Sequence, residues 1–156
     1  MSTESGPRGP IVTASGAIAS NPLPAGGPQV PLPTDKELVL KVVPMPADCN
    51  ANGDIFGGWV MAQVDIAGGV TAARRARGRV ATVAVNAFQF RQPISIGDVV
   101  SFYTRIERVG RTSITVHVEV IAERNPSAPV VVKVTEASVT YVAIDRGGGK
   151  REVPPT

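Results

Sequence analysis

The stretch Ile55-Phe56-Gly57-Gly58-Trp59-Val60-Met61-Ala62-Gln63-Val64-Asp65-Ile66-Ala67-Gly68-Gly69-Val70 decides the fold of this chain. It lacks the strict apolar–polar alternation of a half-buried strand and is rich in alanine, methionine and valine, so one long helix is predicted from Phe56 to about Ala76. A helix on a domain surface is apolar along one stripe only. This one is apolar nearly all round, which predicts burial on most sides. Between Phe56 and Val70 its only strongly polar side chains are Gln63 and Asp65. A carboxylate in such a place has to be paired, hydrogen-bonded or neutralised. Burial alone leaves open whether Asp65 serves as an ion pair, faces a wet crevice or performs chemistry.

Outward from the helix, the chain reads as strands. Glu37–Val43 is a short β-branched run stopped by Pro44 and Pro46, and the loop Ala47–Asp54 is dense in turn formers. After Gly78 come Val80–Phe90, Val99–Val109, Thr112–Glu123 and Val130–Ile144, separated by turn signals such as Ile96-Gly97-Asp98 and Val109-Gly110-Arg111. Alternation places Ile114, Val116, Val118 and Val120 on one face, with Thr115, His117 and Glu119 on the other. The preceding strand puts Val100, Phe102 and Ile106 on one face, with Ser101, Tyr103, Arg105 and Glu107 expected on its polar face. One-sided antiparallel strands need a cover, and the helix is the only large one. The expected class is α+β: one central helix packed into a curved antiparallel sheet, over residues 35–156. Residues 1–34 hold seven of the 14 prolines among glycine, serine and alanine, and are expected to form a mobile tail.

Composition narrows the chemistry. The net charge is +3, and the one arginine cluster, Arg74, Arg75, Arg77 and Arg79, sits at the helix exit, so no concentrated basic face for nucleic acid is expected. With Cys49 alone, there is neither an intrachain disulfide nor a cysteine-based zinc site to build. No apolar run reaches the ~18 residues of a membrane span, and the N-terminus does not read as a signal peptide. A cytoplasmic protein is expected. His117 lies on the polar face of a strand, where a solvated, non-catalytic position is expected.

The helix start adds to Asp65. Gly57 and Gly58 occupy the first turn, where the backbone amides lack helical acceptors and side chains usually cap them. Glycines leave these amides open, and the helix dipole favours negative charge there. An oxyanion hole needs both properties. Asp65 follows Gly58 by seven residues, two turns on, with Ala62 and Gly69 on the same face to leave room for a ligand.

The run Met45–Asp65 resembles the opening of the short-chain bacterial acyl-CoA thioesterases of hotdog fold, which belong with the brain-type acyl-CoA hydrolases. The resemblance continues through Ala87–Asp98, Val109–Ile114 and Thr140–Asp145, and so covers about residues 36–155. It implies hydrolysis of acyl-CoA to free acid and coenzyme A, with Asp65 as general base or nucleophile and no metal or cofactor. It also implies that the Gly58 amide polarises the thioester carbonyl and that Asn50 orients water or substrate. Asn52 suits a turn position of positive φ better than that role. Arg111, Thr112 and Ser113 are implied for the nucleotide end, with Arg91, Arg146 and Lys150 as further phosphate candidates. Protomers are expected to pair as dimers sharing their sites, and to assemble into a hexamer. Two other readings differ in class. A non-catalytic acyl-CoA-sensing module would not need Asp65, and a hotdog dehydratase would need a histidine in the helix region.

Overall fold

In the computed structural model residues 28–156 are described. The order is β1 (Glu37–Val42), a single 3-10 turn (Pro46–Asp48), α1 (Gly57–Ala76), β2 (Val80–Phe90), β3 (Val99–Val109), β4 (Ser113–Arg124) and β5 (Val130–Ala143). The strands form one antiparallel sheet in the order β1-β3-β4-β5-β2, so β2 is an edge strand although it follows the helix directly. This is the α+β hotdog arrangement. Helix and strand limits agree with the sequence reading to within a residue or two.

The core lies between the helix and the concave face of the sheet. Ile114, Val116, Val118 and Val120 are fully buried, as their alternation requires, and join Val60, Val64, Ala67 and Ala72 of the helix. The second face of β3 departs from expectation, because Ser101 and Tyr103 are buried too. The chain ahead of β1 accounts for it. Val30 donates its N–H to the Val131 carbonyl at 3.0 Å. Lys36 then reaches Glu119, the cross-strand partner of Tyr103, at 2.8 Å. Of the tail expected over 1–34, residues 1–27 lie outside the described residues, and the remainder runs along this outer side of the sheet.

That outer face carries a chain of ion pairs: Lys36–Glu119, Glu119–Lys133 at 3.2 Å, Lys133–Glu136 at 2.6 Å and Glu136–Arg91 at 2.9 Å. Burial pushes the Glu119 carboxyl up, but hydrogen bonds from Lys36 and Lys133 outweigh it and hold the group below its ordinary range. Glu136 is also lowered, chiefly by its hydrogen bond from Lys133. Carboxylates with lowered native pKa stabilise the fold above their unfolded pKa, and this contribution is lost as pH falls through the native value. The melting temperature should therefore hold from pH 7 to about 5 and decline below the ordinary glutamate value of 4.5. A Glu119→Gln/Glu136→Gln variant should show a shallower decline in the same scan, and an equally steep one would contradict the assignment.

A second pair fixes the loop between β2 and β3. Arg124 Nε donates to Asp98 Oδ2 at 3.0 Å, and both side chains are 2% exposed. The same carboxylate oxygen accepts the Ser95 N–H at 3.0 Å, and Arg124 also donates to the Pro93 carbonyl. The loop is thereby held against the start of the helix, where Ile55 donates its N–H to Ile94 O at 2.9 Å.

Candidate active site

The helix begins at Gly57 after Phe56, whose side chain makes no capping hydrogen bond. Among the described residues, no hydrogen-bond acceptor is found for the Gly57 or Gly58 N–H; the first helical bond runs from Trp59 N–H to Phe56 O at 3.0 Å. A Cβ at Gly58 would meet nothing within 4 Å, and the residue is exposed. Gly57 is different. A Cβ there would stand 3.2 Å from the Phe90 ring, so this glycine admits a close approach of β2.

Contrary to the expected burial on most sides, one flank of the helix is open. Gly58, Met61, Ala62, Asp65 and Ile66 are exposed, and they recur with the spacing of a single face. The helix packs most extensively on the central strands β3 and β4, and this flank lies toward the β2 edge of the sheet, beyond that contact. Val83 and Val85 of β2 and Met61 and Ile66 of the helix are exposed apolar side chains on the two elements that Asp65 and Thr82 join, and form an apolar border there.

Asp65 is thus an exposed carboxylate in the single chain, not the buried one its apolar neighbours suggest. Its Oδ1 accepts a hydrogen bond from the Thr82 hydroxyl of β2 at 2.6 Å. Its backbone carbonyl accepts the Tyr141 hydroxyl at 2.9 Å. Burial holds the Tyr141 phenol protonated far above its ordinary range, and the Asp65 charge adds to the effect. A Cβ on Gly68 would collide with that hydroxyl, so Gly68 is needed for the tyrosine to pass beneath the helix. Tyr141 and Thr82 therefore fix the Asp65 turn from below and from the side. Neither stands out in the sequence, where Thr82 reads as an ordinary strand former and Tyr141 as a core aromatic.

Comparison with known proteins places the chain in a family. The thioesterase superfamily model matches residues 52–128. The acyl-CoA thioester hydrolase YciA of Escherichia coli K12 is 47% identical over 120 residues, 76% of this chain and 91% of the relative. That of Salmonella typhimurium is 48% identical over 120 residues, 76% of this chain and 90% of the relative. The chain belongs to the acyl-CoA thioester hydrolases of the thioesterase superfamily. Among solved structures, this hydrolase resembles a hexameric thioesterase from Yersinia pestis, with a TM-score of 0.73 and 46% identity over 78% of this chain and 98% of that one. A hexameric hotdog fold thioesterase of Campylobacter jejuni also matches, with a TM-score of 0.73 and 42% identity over 76% of this chain and 90% of that one.

The other predicted residues of the hydrolase fall in separate places. Asn50 lies in the loop before the helix, where its Oδ1 accepts the N–H groups of Asn52 at 2.9 Å and Asp54 at 3.2 Å. Its carbonyl oxygen is engaged in shaping this loop, and it makes no hydrogen bond to Asp65. Asn52 does not hold the positive φ expected of it; Gly53 does, at 85°. Arg111 and Thr112 lie in the turn from β3 into β4, which Ser113 begins, and are bound to the C-terminal segment and to the end of β5. The Arg111 and Thr112 carbonyls accept the Val153 and Ala143 N–H groups at 2.8 and 2.9 Å. The Arg111 guanidinium, with its side chain 83% exposed, is 3.6 Å from Glu152. His117 is on the outer face of the sheet, away from the helix. It is not solvated as expected: its side chain is 15% exposed, between Glu107 at 3.4 Å and Glu136 at 3.8 Å. Arg91 reaches Glu136 on that face, while Arg146 and Lys150 lie in the C-terminal hairpin. No helix among the described residues is long and apolar enough to cross a membrane.

Proposed function

We propose that this chain hydrolyses acyl-CoA thioesters at the open flank of α1, with Asp65 and the Gly58 amide as the catalytic pair. The observation that carries the reading is the arrangement of that flank: an amide without an acceptor at an exposed glycine of the helix N-terminus, and a hydrogen-bonded carboxylate two turns on, on the same face. The thioester oxygen accepts from Gly58 N–H, assisted by the positive end of the helix dipole and by Gly57 beside it. Asp65 either takes a proton from water as it attacks the carbonyl carbon, or attacks that carbon itself to form a mixed anhydride that water then opens. In both routes the C–S bond breaks and the sulfur leaves as coenzyme A, which takes up a proton. Thr82 aims the carboxylate, and the two amide hydrogens of Asn50 are left to orient water or substrate. The reaction needs no metal or cofactor. Arg111, Thr112 and Ser113 are assigned to the phosphates of the nucleotide end, where a highly exposed guanidinium gives up little in leaving Glu152.

The working form is a homo-oligomer, with a dimer as the smallest unit and three dimers in a hexamer. The exposed apolar border of Val83, Val85, Met61 and Ile66 is surface that a water-facing monomer does not keep, and β2 offers a free sheet edge beside it. The relatives described as hexamers share this fold at 42–46% identity. Light scattering on an actively hydrolysing preparation should return six chains. A stable monomer with full thiol release from acyl-CoA would contradict the oligomeric working form. A soluble cytoplasmic enzyme fits this reading.

A further inference from the structure

Resting on the thioesterase reading, we propose that the cavity beside Gly57 receives the acyl chain and that Phe90 sets the length it accepts. The cavity measures about 360 Å³ and is lined in part by Gly57 and Val60 of the first turn of α1. Its apolar lining is Ile55, Val60, Pro93, Ile94 and Val134 together with Gly57 and Phe90, and Phe90, at 49% exposed, is the lining ring that also faces water. Polar groups enter only from Arg91 and Gln92 of the β2–β3 loop. An uncharged alkyl chain suits such walls, whereas the phosphates and pantetheine of the leaving group do not.

The order of groups along the helix gives the direction. Thr82 and Asp65 lie at one end of the open flank, Gly58 follows two turns back, and Gly57 with Phe90 comes next, at the cavity entrance. A thioester whose oxygen is held at Gly58 therefore has the Gly57–Phe90 entrance one residue away. Phe90 reaches this place because β2 breaks register between Asn86 and Gln89, with Ala87 at a φ of 55°. Such bulges re-aim side chains. The ring then packs on Gly57 and lies 5.0 Å from the Phe88 ring at a tilt of 55°, while remaining 49% exposed. At ~30 Å³ for each water-sized group, the cavity holds about a dozen of them, the scale of short and medium acyl chains.

The test is kcat/KM for saturated acyl-CoAs from acetyl to palmitoyl, measured on the full chain and on Phe90→Ala and Phe90→Trp. For the parent, kcat/KM should rise about fourfold per methylene buried until the cavity is full, then level or fall. Phe90→Ala should move that break to chains at least two carbons longer, and Phe90→Trp should move it to shorter ones. Should Phe90→Ala fail to fold, Phe90→Leu carries the same comparison. Three superimposable profiles on hydrolysing enzyme would overturn the proposal and leave the thioesterase reading intact. Unchanged profiles together with loss of the oligomer would also overturn it, by showing that a second copy fills the cavity. A parent that hydrolyses none of the series would sink the underlying reading instead.

Discussion

Replacing Asp98 by alanine is expected to destabilise the fold by about 3–5 kcal/mol, because it leaves Arg124 as a buried, uncompensated charge. Arg124 is 2% exposed and its second terminal nitrogen already lacks a partner, so no other group can take over. The Ser95 N–H loses its acceptor in the same step. For a domain of this size the melting temperature should fall by on the order of 10 °C. Removing both charges, as Asp98→Ala/Arg124→Met, should recover most of the loss, since apolar replacement of a whole buried pair is often neutral. Thermal melts of the parent, the single variant and the double variant at one protein concentration check this. A single variant within about 1 kcal/mol of the parent would show that the pair does not hold the loop. The same loop lines the cavity at Gly57 that is proposed for the acyl chain.

The fold was legible in the sequence because its two periods are clean. Alternation from Ile114 to Val120 marked the sheet face that meets the helix, and the unalternating run from Phe56 marked the helix. What could not be read was which side the helix leaves open. The apolar residues Met61 and Ile66 are as hydrophobic as Val60 and Val64, but only the latter pair faces the sheet. Hydrophobicity reports that a surface must be covered and not whether the same chain covers it. Asp65 accordingly read as a buried carboxylate, when in one chain it stands at the rim of β2. Strand order was hidden for the same reason: β2 follows the helix but pairs with β5, and so brings Thr82 to Asp65 and Phe90 to Gly57. Ser101 and Tyr103 misled because the chain ahead of β1 lies along a face that alternation assigns to water. Gly57 and Gly58 were visible as a pair, but only the geometry separates the glycine that faces open space from the one that admits a ring.

Asp65→Asn is expected to lower turnover by at least a hundredfold and up to about ten-thousandfold, the usual span for a lost general base. The amide keeps the shape of the side chain, and its oxygen can still accept the Thr82 hydroxyl, so the turn of helix beneath it should keep its place. Stability should change little, since the carboxylate is exposed in the chain and no cation pairs with it among the described residues. If Asp65 were only architectural, the amide, which keeps the Thr82 bond, would leave the turnover of the folded protein near the parent's, and any loss of activity would match a loss of folded protein. KM should change less than kcat, because the acyl cavity and the proposed phosphate contacts lie away from this side chain. The comparison has to be made below the melting temperature of both proteins, so that folded fractions are equal.

The measurement that tests the central claim most directly is single-turnover thiol release from a short-chain acyl-CoA, run on parent and Asp65→Asn with a melting curve on each preparation. Two coincident melting curves with a rate lower by two orders of magnitude or more are the predicted result. An early-melting variant whose folded fraction releases thiol at the parent rate would contradict the assignment of Asp65.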